Sequence, residues 1–195
     1  TADIGKKALT ATADVADKTY DGTTAAELSN IVLGGIVSGD AGKVITSGST
    51  GSFVDKNAGN NKSVSGSGIA LTGDEAANYS FDTSAQIGTA DIEKKALTAT
   101  ADVADKTYDG TTGAQLSNIV LSGIVGGDEG KVGTSGSSGS FSDKNAGLDK
   151  SVSGSGIALT GGEADNYSFD TNAQVGTADI GKKTLTATAD VADKV

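Results

Sequence analysis

Apolar and polar residues alternate along this chain with a period of two. In Lys7–Val15, Leu9, Ala11, Ala13 and Val15 fall on one side, and Ala8, Thr10, Thr12 and Asp14 on the other. Successive side chains of an extended strand point to opposite faces, so this pattern predicts a half-buried strand over Lys6–Val15. Alanine is a weak strand former, which makes a helix the competing reading. The interleaved threonines and the absence of apolar i, i+4 spacing favour the strand. The same string returns at Lys94–Val103, with the same expectation.

Further along, Tyr20-Asp21-Gly22-Thr23-Thr24 carries an Asp-Gly turn signal. Leu28–Val37 reads as one strand, or as two split at Gly34 and Gly35. Gly39–Gly42 turns the chain, and Lys43–Phe53 reads as a glycine-rich strand pair or an irregular edge. Asp55–Gly59 is a second turn. In Ser63–Leu71 the alternation fails at Ile69, which predicts a bulge near Gly68. Thr72–Asn78 suits one short helical turn, and Tyr79–Ile87 closes the pattern with Tyr79 and Phe81 on one face. About six or seven short strands separated by turns predict an all-β domain, antiparallel and sandwich-like.

The pattern then repeats. Aligning residues 1–88 with 89–176 needs no gap and gives 73 identities in 88 positions, and 177–195 matches 1–19 at 17 of 19. A fixed period of this kind sets the domain size. The expected organisation is one repeat over 1–90, a second over 91–180, and the start of a third over 181–195, partly frayed. The join Ile87–Leu97 has no proline and one glycine, so it reads as extended chain, and an elongated, fairly stiff array is expected. The segment after Ile87 is expected to pair with the first repeat before entering the second. Residues from Thr177 to about Ala187 are expected to do the same for the second.

Composition narrows the function classes. The chain has no Cys, His, Trp, Met or Pro, and 29 glycines. Without Cys, a domain this small has no disulfide to staple it. A net charge of −10 repels phosphate backbones and anionic lipid, so no nucleic-acid partner is expected. No apolar run of membrane-spanning length occurs, so no membrane insertion is expected. With no leader or anchor in view, the chain reads as a piece of a longer protein.

Candidate chemistry is sparse. A His-based triad, a His-containing zinc site and a Cys nucleophile are all excluded by composition. No enzyme activity, catalytic residue or cofactor is expected. The serious metal candidate is calcium, at Asp55, Asn57 and Asn61 in one loop and Asp143, Asn145 and Asp149 in its copy. Those loops lack the EF-hand order and its closing Glu, and turn chemistry accounts for Asp and Asn there, so no metal site is assigned. Tyr20 and Tyr79, with Tyr108 and Tyr167, read as core anchors whose hydroxyls reach backbone groups, rather than as sugar- or peptide-stacking rings. An isopeptide cross-link from Lys7 or Lys43 to Asn78 has no motif behind it.

Four segments in order carry a resemblance: Tyr20–Thr24, Gly39-Asp40, Gly51–Gly59 and Leu71–Tyr79, repeated at Tyr108–Thr112, Gly127-Asp128, Gly139–Gly147 and Leu159–Tyr167. This set resembles the YDG-type repeat of large bacterial surface adhesins of the filamentous-haemagglutinin or two-partner-secretion type. The resemblance implies β-rich extracellular domains at the bacterial cell surface that form a stalk or spacer and project a distal binding region. It implies no catalytic residues. Neighbouring repeats of the same chain are the expected partners, with a host or matrix ligand engaged through another region. The alternative is a multivalent adhesive module, each repeat binding a glycan or protein weakly, or a homophilic contact in biofilm.

Overall fold

The computed structural model describes residues 1–190. It is all-β: each repeat is a small, mostly antiparallel β half-barrel. The strands of the first repeat are β1 (Lys7–Val15), β2 (Lys18–Thr19), β3 (Ala25–Gly34), β4 (Ile45–Ser47), β5 (Thr50–Phe53), β6 (Gly59–Ser65), β7 (Ala70–Thr72), β8 (Tyr79–Phe81) and β9 (Gln86–Glu93). Seven of them form one sheet in the order β2-β9-β6-β5-β3-β1-β8, and β4 pairs with β7 apart from it. Two pairings are parallel, β1 with β8 and β2 with β9.

The second repeat runs through β10 (Lys95–Val103), β11 (Lys106–Thr107), β12 (Gly113–Ser122), β13 (Gly133–Ser135), β14 (Ser138–Phe141), β15 (Gly147–Ser153), β16 (Ala158–Thr160), β17 (Tyr167–Phe169) and β18 (Gln174–Gly181). Its order, β11-β18-β15-β14-β12-β10-β17 with β13 on β16, reproduces the first.

The alternation in β1 is real. Leu9 and Ala11 are buried and Ala13 and Val15 half-buried, while Thr10, Thr12 and Asp14 are exposed. Leu28, Phe53, Val64, Ile69, Ile87, Ala90 and Ile92 fill the first core. Leu9, Val44 and Tyr79 form a smaller cluster with Leu33, Ile36 and Leu71. The second core holds Leu116, Phe141, Val152, Ile157, Val175 and Ile180.

Two of the register shifts in the first repeat carry an asparagine at positive φ. Between Thr12 and Asp14 the register of β1 on β3 shifts, and Asn30 takes φ 49° opposite the shift. Asn30 donates its side-chain amide to Asp14 at 2.6 Å, which fastens the bulge. Between Gly59 and Lys62 the register of β6 on β9 shifts in the same way, with Asn61 at φ 51° and its backbone N–H donated to Asp91 at 2.7 Å. Asn tolerates the left-handed region better than other side chains, which accounts for its use there.

Several expectations are refined. Leu28–Val37 holds the end of one strand, since β3 continues through Gly34. Lys43–Phe53 holds two strands that enter different sheets, β4 and β5. The break at Ile69 is not a bulge within a strand: β6 ends at Ser65, the chain turns, and β7 leaves for β4. The short helical turn is a 3-10 turn at Ala76–Asn78. The segment after Ile87 does pair with the first repeat, through β9 on β6 and β2. Its copy β18 stops at Gly181, short of Ala187, and residues 182–190 are exposed without an assigned element. The strands that flank β10, namely β12 and β17, have no counterpart beside residues 182–190 among the described residues.

Candidate functional site

By compactness the chain forms two units, and the first is larger than the first repeat. It comprises Thr1–Lys95 together with Val125–Lys131 and Gly162–Ser168. Inside this unit lies the most buried polar cluster of the described residues.

Tyr20 builds one side of it. Lys18 in β2 donates to the Thr23 and Ala25 carbonyls and pairs with Asp21 at 2.8 Å. Asp21 accepts the Thr23 N–H and hydroxyl, both at 2.8 Å, and Gly22 takes φ +81°. Burial alone raises the pKa of Asp21, but the bonds from Lys18 and Thr23 outweigh it and hold the carboxyl below its usual range. The turn so fixed points Tyr20 inward, at 1% exposure, with its backbone N–H on the Glu93 carbonyl. The motif residues are thus a local folding device: cation, cap and a residue free to take positive φ.

Tyr20 donates its hydroxyl to Asp128 at 2.8 Å, and Tyr167 donates to the same carboxylate oxygen at 2.8 Å. The two rings meet edge-on, 5.4 Å between centroids at 75°. Asp128 is 3% exposed. Burial raises its pKa, yet the two hydroxyls and the Lys56 ammonium at 3.6 Å more than compensate and keep it ionised. Burial, and Asp128 beside it, raise the Tyr20 pKa, and that of Tyr167 is pushed up to about 12, chiefly by burial. Lys56 also donates to the Tyr20 hydroxyl and to Glu163, both at 3.2 Å, and these bonds raise its pKa. Asn166, 4% exposed, accepts the Ala58 N–H at 2.8 Å and donates to Glu163 at 2.8 Å. Every polar partner is used, as a buried ionic group requires.

The calcium candidates are engaged otherwise. Asp55 accepts Lys62 at 2.6 Å and the Asn57 N–H at 2.8 Å, and Asp143 does the same with Lys150 and Asn145. Asn61 and Asp149 sit at the β-bulges. Among the described residues no group of three or more Asp or Glu side chains is placed to hold a metal ion. Asn78 donates its amide to Glu75 at 2.7 Å, and Lys7 and Lys43 are exposed. Tyr79 donates to Asp40 at 2.6 Å, and that acceptor raises its pKa. The tyrosine hydroxyls reach backbone groups only in part. Both Tyr79 and Tyr167 accept a backbone N–H, and their stronger partner is a carboxylate.

Asp128 was readable only as a turn residue. The signal that marks the cluster is comparison of the two copies. Asp40/Asp128, Lys56/Lys144, Glu75/Glu163 and Asn78/Asn166 are kept while the adjacent Ala41/Glu129, Asp74/Gly162 and Ala77/Asp165 change.

A model of the YDG domain matches residues 5–87 and again 93–175. The chain belongs to the YDG-domain family. No curated protein and no solved structure matches it. Family membership corrects one expectation. The expectation of no nucleic-acid partner, which rests on net acidity, does not stand, because domains designated YDG include modules that bind DNA and methylated cytosine. The physical reason is that a net charge of −10 is a sum over the whole chain and does not describe any one face. Among the described residues no helix is long and apolar enough to cross a membrane.

Proposed function

We propose that these YDG repeats are a non-catalytic stalk or spacer of a bacterial cell-surface adhesin, outside the cell, carrying a distal binding region away from the surface. One observation supports this reading above the others. The motif residues Tyr20, Asp21, Asp128, Asn166 and Tyr167, with Lys18 beside them, are engaged in holding backbone and loops. A module whose signature residues serve its own architecture suits a part that is multiplied for length. The near-identity of the copies fits the same role.

The test pairs display with binding. Cells carry a distal epitope on arrays of increasing repeat number, and access of a bulky antibody to it is measured. Access is expected to rise with repeat number, while the purified chain shows no saturable binding to glycans or matrix proteins. Saturable binding by one repeat, strengthened in two, would instead establish a multivalent adhesive module.

A further inference from the structure

The cluster of the first unit has two sides, and each also exists in the chain without the other. The receiving side is Tyr20, Gly22, Lys56 and Ala58. Its copy in the second repeat is Tyr108, Gly110, Lys144 and Ala146. The support beneath is the same: Tyr108 donates its backbone N–H to the Gly181 carbonyl at 2.8 Å, as Tyr20 does to Glu93, and Lys106 holds Asp109 and Thr111 as Lys18 holds Asp21 and Thr23. What differs is cover. Lys144 and Ala146 are exposed where Lys56 and Ala58 are partly buried, and Tyr108 is only half-buried. Among the described residues the Tyr108 hydroxyl and the Lys144 ammonium have no hydrogen-bond partner. A Cβ at Gly22 would meet the Val125 side chain at 3.1 Å, whereas at Gly110 it would meet nothing within 4 Å. Beside Tyr108 is an open groove of about 440 Å³ lined by Asn145, Ala146, Lys182, Lys183 and Leu185.

The filling side is the Gly-Asp loop and the Asn-Tyr loop. In the first repeat it stands preassembled: Tyr79 donates to Asp40 at 2.6 Å, accepts the Val37 N–H at 3.2 Å, and Asn78 donates to Glu75 at 2.7 Å. These are the internal bonds of Tyr167, Asp128, Asn166 and Glu163, yet Asn78 is exposed where Asn166 is buried. Charge matches as well, since Lys182 and Lys183 line the groove, Lys144 precedes Asn145 in the chain, and the loops bring Asp and Glu.

We propose that the Tyr108–Lys144–Ala146 face is a docking surface for another copy of this same repeat following in the chain, filled by that copy's Gly-Asp and Asn-Tyr loops. The inference rests on the paired faces and not on where the protein is displayed. In the filled state the Asp of the incoming loop accepts Tyr108 and faces Lys144, and the incoming Asn accepts the Ala146 N–H.

Hydrogen exchange at single amides tests this. The 195-residue chain is compared with the same chain extended by a second copy of residues 108–195, which continues the repeat in register. The Ala146 amide is expected to slow by at least about tenfold on extension, towards the rate of Ala58, whose N–H is donated to Asn166 and is expected to be slow in both proteins. Lys144→Glu, at an exposed position, is expected to restore fast exchange in the extended chain. An Ala146 rate unchanged by extension would overturn the proposal, as would protection that survives Lys144→Glu. Slowing in the unextended chain with rising protein concentration would put the filling loops on a second molecule and overturn the assignment to a repeat of the same chain.

Discussion

Tyr20 donates its hydroxyl to Asp128 at 2.8 Å across 108 residues of sequence. The bond decides how the family motif is understood. A buried carboxylate is costly unless its oxygens are used, and Asp128 meets two tyrosine hydroxyls and a lysine. Tyr20, the tyrosine of the first YDG signature, is therefore half of a pairing, and the Gly-Asp loop at Asp128 supplies the other half.

The pairing makes stability depend on pH at both ends. Burial opposes ionisation of Asp128, but its hydrogen bonds and Lys56 prevail, so its folded pKa lies below the ordinary 3.8. Its contribution is full above that ordinary value and is lost as pH falls through the depressed one. Denaturant midpoints are expected to drop as pH falls below about 4, and Asp128→Asn is expected to flatten that slope. A wild-type slope identical to that of Asp128→Asn would contradict this.

At high pH the sign reverses. The Tyr167 hydroxyl has its pKa raised by burial from 10.0 to about 12, so its stabilisation is present below 10.0 and disappears as pH rises towards 12. Tyrosinate absorbance is expected to show a late component that moves down to the ordinary range in denaturant. A single folded-state transition near the ordinary value is the contrary outcome.

Gly88 sits where β9 passes under β1. A Cβ there would lie 2.6 Å from Val15 Cγ2 and 2.9 Å from the Ala13 carbonyl oxygen. Gly88→Ala is expected to cost ~1–3 kcal/mol in urea unfolding, and Gly176→Ala about the same. Gly162→Ala, with nothing within 4 Å, is the control and should be close to neutral. Equal effects at all three would remove the close-approach explanation.

Calcium is expected to leave the melting temperature unchanged. Asp55 and Asp143 are already held by Lys62 and Lys150, which lower their pKa values and bind the same oxygen, Oδ1, that takes the Asn57 or Asn145 N–H. EDTA and millimolar calcium should give superimposable melts. A reversible calcium-dependent rise would revive Asp55/Asn57 and Asp143/Asn145 as ligands, since a ligand of the native state stabilises it by mass action.

The local part of this fold was legible in the sequence. The alternation of Leu9, Ala11, Ala13 and Val15, the turn at Asp21-Gly22 and the 88-residue period all follow from short-range chemistry. What was not legible depends on distant partners. Whether the break at Ile69 is a bulge or a strand end depends on β4, which takes β7 out of the main sheet. The bulge at Asn30 depends on Asp14, 16 residues away. Asp128 looks like any turn residue until Tyr20 and Tyr167 are placed beside it. Periodicity reports which face is buried, not which chemical group waits there.

The central claim is that Tyr20 and Asp128 act as one unit, and a double-mutant cycle measures it directly. Tyr20→Phe, Asp128→Ala and the double variant are unfolded in urea beside the wild type. Each single change is expected to cost ~1–3 kcal/mol, because it leaves a buried partner unsatisfied. The double variant should be less destabilised than the sum by at least ~1 kcal/mol, since Tyr20→Phe loses most of its effect once Asp128 is gone. Losses that add to within about 0.3–0.5 kcal/mol would contradict the account.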